Sequence, residues 1–543
     1  RRRLPRQARP GVQLARAGDQ RPRRRDRRYR ERGRGRWDAR HARAGGWNLS
    51  VLLENGLVDV GAGEFHRADV VVEAGLIKSV GREAAAPEGA ERVDCSRFLV
   101  VPGMINAHNH SNENWMRGMW DNLPLEPWML FSYPALAAPS QTPDEIYLRT
   151  VVGAMEQLKS GATCVVDFLY ELDGFTDDSL DAVVRAYRDV GLRALIALGI
   201  GDRAYHETVV LDEGLVSRDL IGRLEREKPP TWDEWERFVR GAVEKFHRPD
   251  EGISICPAPS GPQRCTDEML VGCAALAEEL DTVLHIHVLE TRMQAVSGQQ
   301  MYGQTLVEHM EAVGFLSPRV CFAHGIWLTP GDIRIVRDRG VTIAHNPVSN
   351  LKLGSGIAAV PTLLAEGVNV ALGTDGMSSN DGLDMFASLK QAALLHKIWG
   401  VDYERWTGAA EAWQLATIGG AQAAGDAARL GLIEPGRRAD LVLLDLDSQV
   451  FTPLNDPLRQ LALGSTTLAV DSVLVGGDWK VRGGEVATVD ERAVLAEARE
   501  RGREIMSRFD EAFELGQQLL VPLRGGWLEA LQTDVGVERK LAL

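Results

Sequence analysis

The run FLVVPGMINAHNH, residues 98–110, joins an apolar, strand-like segment to two histidines that are one residue apart. Seven further short runs of apolar and β-branched residues follow it along the chain. The eight runs occupy residues 98–110, 162–168, 192–200, 253–260, 282–290, 319–326, 341–347 and 368–376. Continuous apolar runs of this length between breaks are typical of strands that are buried on both faces.

Helix-like segments separate most of these strands. Segments such as DSLDAVVRAYRDVG and GQTLVEHMEAVG repeat apolar residues with a period near 3.6, and they stop at a glycine that suits a helix C-terminus. Eight strands that alternate with helices over about 270 residues predict an α/β fold, a (β/α)8 or TIM barrel. The longest connection, residues 201–252, follows the third strand, and it predicts either a lid over the substrate pocket or an inert insertion.

Strand-rich segments with glycine breaks lie on both sides of the predicted barrel. LSVLLENGLVDV and HRADVVVEAGLIKSVG precede it, and LIEPGRRADLVLLDLD and VDSVLVGGDWKVRGGEV follow it. They predict a small β-sandwich domain built from both chain ends, residues 47–100 and 433–488, around a barrel at 101–432. The tail, 489–543, reads as a helical extension with one long amphipathic helix that packs on the body or on a partner subunit.

The first 43 residues differ from the rest, with 18 arginines, no lysine and four acidic residues. Beyond them remain 44 basic and 72 acidic side chains, a net charge of −28, which argues against nucleic-acid binding. We interpret residues 1–46 as an artefactual or disordered extension, with a nucleic-acid-binding tail as the alternative. The overall composition, 44% hydrophobic and 25% charged, excludes disorder for most of the chain.

Six cysteines are far apart and form no CxxC pair, which fits buried thiols in a reducing compartment better than disulfides. No apolar run of membrane-spanning length and no signal peptide is visible. We therefore expect a cytoplasmic protein with a small-molecule substrate, no membrane or nucleic-acid partner, and a homo-oligomeric state, a dimer or larger.

Unusual polar residues collect where the predicted strands end, which is where barrel enzymes have their active sites. They are His108, His110, His287, Glu290, His324 and Asp375. Side chains two apart on a strand share a face, so both histidines of an HxH pair can reach one ion. Neutral imidazoles with a carboxylate suit one divalent ion, Zn²⁺ or else Fe²⁺. His285 lies deeper on its strand and reads as a core residue.

These residues, with the motifs around them, resemble the amidohydrolase superfamily. Within it they are similar to the mononuclear deaminase and chlorohydrolase branch, which includes cytosine deaminases, methylthioadenosine/S-adenosylhomocysteine deaminases and triazine hydrolases. The resemblance covers roughly residues 48–490. It is carried by VPGMINAHNH, RGMWDNLPLEPWM, HIHVLET, AHGIWL, HNPVSNLKLGSGIAAVP, LGTDGMSSNDGLDMF and PGRRADLVLLD.

The resemblance implies a role for each of these residues. His108, His110, His287 and Asp375 would be the metal ligands. Glu290 would shuttle protons, and His324 and Asp375 would orient the metal-bound hydroxide and accept its proton. Relatives with two metals bridge them with a lysine at the end of the fourth strand, but here that strand reads ISICPAPS, so a single metal is expected.

Substrate-binding candidates are Trp115, Arg117, Trp128 and His345. Aromatic faces suit a planar substrate, although the tryptophans could instead pack their loop, and His345 could be structural. Nucleoside deaminases carry a histidine after the fourth strand, where this chain reads CPAPSGPQRC. That departure weakens an adenosine-like assignment.

The sequence thus predicts a hydrolase that deaminates an aminated heterocycle of purine, pyrimidine, pterin or triazine type through a metal-bound hydroxide. It is an aminohydrolase acting on C–N bonds other than peptide bonds, in cyclic amidines. Two alternatives stay open. The same hydroxide could cleave a substituted urea or carbamate, or release an alkylamine or chloride from a triazine. A barrel without catalytic activity is the other alternative, but it conflicts with the presence of every metal and acid–base position.

Overall fold

The structure is a computed structural model that describes residues 50–540, apart from 62, 83, 86, 173, 212, 227 and 399–401. The predicted extension, residues 1–46, lies outside the described residues. The strands are β1 Val51–Gly61, β2 Glu64–Glu73, β3 Leu76–Gly81, β4 Glu91–Asp94, β5 Phe98–Pro102, β6 Met104–Asn109, β7 Ala162–Leu169, β8 Arg193–Ile200, β9 Ile253–Pro259, β10 Leu284–Val288, β11 Val320–His324, β12 Thr342–His345, β13 Val370–Leu372, β14 Leu441–Asp445, β15 Val470–Val475, β16 Asp478–Arg482 and β17 Glu485–Val486.

Helices occupy most of the connections between these strands. They are α1 Leu125–Ser132, α2 Pro143–Lys159, α3 Asp177–Val190, α4 Arg218–Leu224, α5 Trp232–Phe246, α6 Asp267–Glu279, α7 Arg292–Tyr302, α8 Leu306–Ala312, α9 Pro330–Arg339, α10 Pro347–Lys352, α11 Val360–Ala365, α12 Met377–Asn380, α13 Met385–Leu395, α14 Ala409–Gln414, α15 Gly420–Ala423, α16 Pro457–Leu463, α17 Glu491–Ser507 and α18 Asp510–Gln532. In the part of the chain that the structure describes, no helix has both the length and the apolar character needed to cross a bilayer.

The strands that carry the candidate site form two parallel sheets of four. One has the order β6-β7-β8-β9 and the other β10-β11-β12-β13. Every neighbouring pair in both sheets is parallel, and helices connect most of them. The predicted mixed α/β fold, with strands that alternate with helices, is confirmed. Because the strands are parallel, their carboxyl ends lie on one side of each sheet.

A third sheet contains strands from both sides of the parallel sheets. Its order is β17-β16-β15-β14-β5-β1-β2-β3, with β4 paired to β1. Strand β14 pairs antiparallel with β5, so the C-terminal strands extend the N-terminal ones. Alternating apolar residues of this sheet, including Val70, Val100 and Leu443, form a buried cluster of their own.

Two boundaries differ from the sequence prediction. Residues 98–110 are not one strand: β5 belongs to the third sheet, and the chain passes at Gly103 into β6 of a parallel sheet. Gly103 lies so close to Thr163 that a Cβ there would meet its Oγ1 at 2.1 Å, so only glycine fits at this crossing. The predicted long C-terminal helix is two helices, α17 and α18, with Arg508 and Phe509 between them. The Phe509 side chain is fully buried at this break, which directs the chain against the body.

Candidate metal centre and active site

The carboxyl ends of four strands bring the predicted polar residues together. His108 lies on β6 and His110 directly after it, His287 on β10 with Glu290 just beyond, His324 at the end of β11, and Asp375 shortly after β13. All six side chains are buried. Subsets of them present ligand atoms that lie within 4.8 Å of one another. The convergence that the sequence indicated is therefore present in the structure.

The backbone at the site adopts a conformation that side chains other than glycine rarely take. Leu289, His324 and Asp375 have φ values of 51°, 75° and 65°. Non-glycine residues in this left-handed region are uncommon and cluster at functional sites, since the surrounding fold must hold them there. At His324 and Asp375 this backbone conformation occurs at residues whose side chains belong to the cluster at the strand ends.

Imidazole nitrogens and a carboxylate oxygen surround one point. The Nε2 atoms of His110 and His287 are 3.3 Å apart. The Oδ1 atom of Asp375 lies 3.4 Å from Nε2 of His110 and 3.6 Å from Nε2 of His108. Tetrahedral ligands about 2.0–2.1 Å from a zinc ion are about 3.3 Å from each other. The donor set therefore has the spacing that a single tetrahedral ion requires.

The tautomers of two histidines are set by backbone carbonyls. Nδ1 of His110 is 2.6 Å from the carbonyl oxygen of Phe168, and Nδ1 of His287 is 2.9 Å from that of Ser260. A carbonyl can only accept, so each Nδ1 carries the hydrogen and each Nε2 keeps its lone pair for a metal. Two lone pairs facing each other at 3.3 Å repel unless a cation lies between them.

Burial keeps the clustered imidazoles neutral. It lowers the pKa of His108 and His287 well below the usual value, with the neighbouring histidines adding to the shift, and it also lowers the pKa of His110. Both ring nitrogens of His108 are buried without a hydrogen-bond partner among the described residues. A buried, neutral and unpartnered imidazole fits a metal ligand, since its desolvated nitrogen is otherwise uncompensated.

The carboxylate of Asp375 is held in place by two donors. The Ser349 hydroxyl donates to Oδ2 at 2.6 Å, and the backbone N–H of Gly376 donates to Oδ1 at 2.8 Å. The N–H of Asp375 itself donates to the carbonyl oxygen of His108 at 2.9 Å. These contacts orient Oδ1 towards the imidazoles.

We expect Ser349→Ala to weaken metal binding by about 10- to 100-fold, because ligands that lose an orienting hydrogen bond bind metal less tightly. Titration of metal-free protein with Zn²⁺ against a competing chelator measures the effect. Ser355→Ala is the matched control, because its buried hydroxyl has no partner among the described residues. Equal affinity in both variants would contradict the orienting role.

Glu290 and His324 lie beside the ligand set and can exchange protons with groups bound there. Nε2 of His324 is 3.6 Å from Oε2 of Glu290 and 3.8 Å from Oδ2 of Asp375. Nδ1 of His324 is 2.9 Å from Oδ1 of Asn350, which fixes the ring plane. Burial raises the pKa of Glu290 to about 7, which is near the optimum for a group that both gives and takes protons at neutral pH. Its Oε1 has no partner among the described residues.

A cavity of about 1090 Å³ opens over these groups. Its lining includes His110, His287, Glu290, His324 and Asp375. The connection 201–252 supplies much of the outer wall, through Arg203, Tyr205, Lys228, Glu234, Trp235 and Phe238 among others. This placement fits the lid alternative better than the inert insertion, because the connection contributes many of the residues that line the cavity.

One of the four predicted substrate-binding residues lines the cavity. Trp128 on α1 is buried there, and its indole N–H donates to the Ser378 hydroxyl at 3.0 Å, which fixes the ring in the cavity lining. Aromatic faces held in this way suit planar ligands.

The other three predicted residues do not line the cavity. Trp115 packs in a cluster with Met116 and Ile505, against α17. Arg117 is half exposed and forms an ion pair with Glu156 of α2. His345 is fully buried at the end of β12, with its ring 5.3 Å from that of His396. In the structure these three side chains pack or form an ion pair outside the cavity lining.

Sequence reasoning missed several residues that line the cavity, among them Tyr133, Tyr170, Ser260 and Arg264. Tyr170 follows β7 directly, so its position one residue beyond a strand end was an available signal. Ser260 and Arg264 belong to the CPAPSGPQRC segment, whose importance the sequence indicated without singling out a residue.

A neutral imidazole set with one carboxylate, beside a buried glutamate at the end of parallel strands, defines a metal-dependent hydrolase. The sequence profile of the amidohydrolase family matches residues 99–480, and the chain belongs to that family. It is an aminohydrolase, a deaminase that acts on C–N bonds in cyclic amidines, as the sequence predicted.

Three known proteins illustrate the similarity. The 5-methylthioadenosine/S-adenosylhomocysteine deaminase of Syntrophomonas wolfei is 34% identical over 85% of this chain and 100% of its own length. A zinc-bound adenosine deaminase structure from Xanthomonas campestris has a TM-score of 0.74 and 29% identity, and the match covers 85% of this chain and 100% of that one. Zinc-bound atrazine chlorohydrolase from Arthrobacter aurescens TC1 has a TM-score of 0.76 and 25% identity, covering 83% and 100%.

Proposed function

We propose that the protein hydrolytically removes the exocyclic amino group of adenine-type nucleosides. The single observation that carries the chemistry is the cluster of neutral imidazole Nε2 atoms and Asp375 Oδ1, with Glu290 alongside in the same cavity. The substrate class is supported by the similarity, over nearly their full lengths, to a methylthioadenosine/S-adenosylhomocysteine deaminase and an adenosine deaminase.

In this proposal His108, His110, His287 and Asp375 hold one divalent ion, with Zn²⁺ favoured because relatives contain zinc and the donor spacing fits it. A bound ion of this kind lowers the pKa of a coordinated water from 15.7 to about 7 and so supplies a nucleophile at neutral pH. The remaining steps belong to the side chains of this chain.

Glu290 protonates the ring nitrogen next to the amino-bearing carbon, which makes that carbon more electrophilic. The proton that leaves the attacking water then reprotonates Glu290 by way of His324, and Glu290 passes it to the departing amine. His324, whose ring plane Asn350 fixes, and Asp375 accept the proton of the attacking water. Trp128 packs against the planar ring. This chemistry needs an acid and a base around one bound molecule, and the distances of 3.6 Å from His324 Nε2 to Glu290 and 3.8 Å to Asp375 support such a grouping.

We also propose that the two parallel sheets close into one barrel, with the domain boundaries that the sequence predicts. Two backbone hydrogen bonds bridge the parallel sheets: the N–H of His287 donates to the carbonyl of Ser260, and that of Asp375 to the carbonyl of His108. These contacts support closure of β6–β13 into a (β/α)8 barrel at 101–432. The third sheet would then form the small sandwich of 47–100 and 433–488, and 489–543 the helical extension. Six buried free cysteines support a cytoplasmic location.

A second candidate is removal of another leaving group from a related heterocycle, such as an alkylamine or chloride from a triazine. The segment after β9 favours it, because CPAPSGPQRC lacks the histidine that nucleoside deaminases carry there. The similarity to atrazine chlorohydrolase points in the same direction.

A substrate panel separates the two candidates. We expect zinc-loaded protein to release ammonia from 5′-methylthioadenosine, S-adenosylhomocysteine or 5′-deoxyadenosine with kcat/KM above about 10⁴ M⁻¹s⁻¹, the lower end of ordinary enzymes. Ammonia, alkylamine and chloride are measured for each compound, triazines included, with metal-free protein as the blank. Turnover of triazines alone would overturn the proposed nucleoside substrate in favour of the second candidate.

A further inference from the structure

The guanidinium of Arg264 lies in the active-site cavity without a carboxylate partner. It lines the cavity together with His287, Glu290 and Asp375. Its charge favours the ionised forms of Glu290 and Glu126 from a distance, but no carboxylate of the described residues is in ion-pair contact with it. Within the described ranges, the hydrogen bonds of its side chain run to the Ser260 hydroxyl at 3.5 Å and to the Met129 sulfur at 2.9 Å. Its Nε is buried and has no partner within the described part of the chain.

These contacts leave most of the donors of the guanidinium without a good acceptor. A guanidinium carries five N–H donors in a rigid fork, whereas a thioether sulfur is a weak acceptor and a contact of 3.5 Å is at the limit of a hydrogen bond. A cation that is kept in a partly buried cavity with such weak partners gains much from a ligand that brings a stronger acceptor. Arg264 is thus prepared to bind something that enters the cavity.

The position of Arg264 indicates which part of the ligand it reaches. The residue that it contacts, Ser260, accepts from Nδ1 of the ligand imidazole His287 through its carbonyl oxygen at 2.9 Å, and its hydroxyl also accepts from Tyr170 at 2.8 Å. Ser260 therefore links the guanidinium to His287 of the proposed metal centre. The guanidinium lies on the cavity wall that is formed by the segment after β9. The ring that undergoes attack must lie at this depth, while substituents extend towards the outer wall.

We propose that Arg264 is a specificity-determining residue that donates hydrogen bonds to an acceptor atom of the substrate's heterocycle. This inference rests on the proposed function. The acceptor differs from the nitrogen that Glu290 protonates, because a protonated nitrogen has no lone pair to accept with. In an adenine ring the remaining candidates are N3 and N7. Arg264 would thereby supply, from the same segment, the ring contact for which the CPAPSGPQRC sequence offers no histidine.

Analogues that lack one ring nitrogen test this assignment. The parent substrate is 5′-methylthioadenosine, and its 3-deaza and 7-deaza analogues each replace one acceptor by C–H. We expect wild-type kcat/KM to fall by about 10²-fold or more on one analogue, because a site built to donate to a substrate acceptor rejects a compound that lacks it. In Arg264→Met, we expect kcat/KM on the parent to fall by about the factor that separates the parent from the rejected analogue in wild type. The kcat/KM values of this variant on the parent and on that analogue should then agree within about threefold.

Two further variants control for charge and folding. Arg203→Met removes another cation from the cavity lining, but its Nε already donates to the Cys265 carbonyl oxygen at 3.1 Å, so it should keep the wild-type discrimination between parent and analogue. Arg264→Lys keeps a positive charge and a donor, and it should recover part of the discrimination even if Arg264→Met folds poorly. The thermal midpoint of each variant shows whether it is folded.

The outcomes are distinguishable. If wild-type protein deaminates no adenine nucleoside, the proposed function is overturned and the inference falls with it. If it deaminates the parent but Arg264→Met and Arg264→Lys both keep the wild-type discrimination, the proposed function stands and the role of Arg264 is overturned. Loss of the same discrimination in Arg203→Met would also overturn it, since general loss of charge would then explain the result.

Discussion

Glu290→Gln should lower kcat by about 10²–10⁴-fold, the usual contribution of a positioned acid–base group. The change keeps the shape of the side chain and removes the ability to deliver a proton. Burial raises the pKa of Glu290 to about 7, so the wild-type carboxyl can both donate and accept a proton near neutral pH. The variant should keep one metal ion per chain and a KM within about threefold of wild type, since loss in kcat alone marks an interaction made in the transition state.

Ammonia release under steady-state conditions and metal analysis of the purified protein measure these effects. Glu268→Gln makes the same chemical change at an exposed position on α6, and it should leave both quantities at wild-type values. A Glu290→Gln variant with wild-type kcat would contradict the assigned proton shuttle. A variant that has lost its metal would instead assign Glu290 to the ligand set.

The centre of the site was predictable from sequence because strands impose simple geometry. His108, His287 and His324 lie on strands, and Asp375 lies three residues beyond one. In a parallel sheet all carboxyl ends share one side, so residues that are far apart in the chain meet without any knowledge of the loops. The mixed α/β fold was predictable for the same reason, since buried strands and amphipathic helices differ in their periodicity.

The substrate wall was less predictable because irregular segments have no such period. Trp115 and Arg117 follow β6 closely, yet their contacts are with α17 and with Glu156 of α2, elements that the local sequence does not specify. Arg264 reaches the cavity because a short turn after β9 directs it there. Likewise, the break between β5 and β6 depends on the close approach of Thr163 to Gly103, which is a tertiary contact.

His287→Asn should abolish metal binding and lower kcat/KM by at least about 10³-fold, since the nucleophile depends on the ion. The Nε2 atoms of His287 and His110 lie 3.3 Å apart with both Nδ1 hydrogens bound to carbonyls, so neither can rotate to relieve the repulsion in the absence of a cation. When the free metal concentration is 1,000 times the dissociation constant, binding stabilises the folded state by about 4 kcal/mol. Wild-type protein should therefore show a rise in thermal midpoint with added Zn²⁺, and His287→Asn should not.

His285→Asn is the matched control, because His285 lies two residues away on the same strand. Its Nε2 is 3.0 Å from the Ala423 carbonyl oxygen, and that contact assigns it to the packing beneath the site. The folded His285→Asn protein should keep its metal and the Zn²⁺-dependent rise in thermal midpoint, even if its absolute midpoint is lower. Metal loss in His285→Asn with retention in His287→Asn would reverse the assignment. Because the two histidines share a strand face, only their depth along β10 distinguishes the proposed ligand from the proposed core residue.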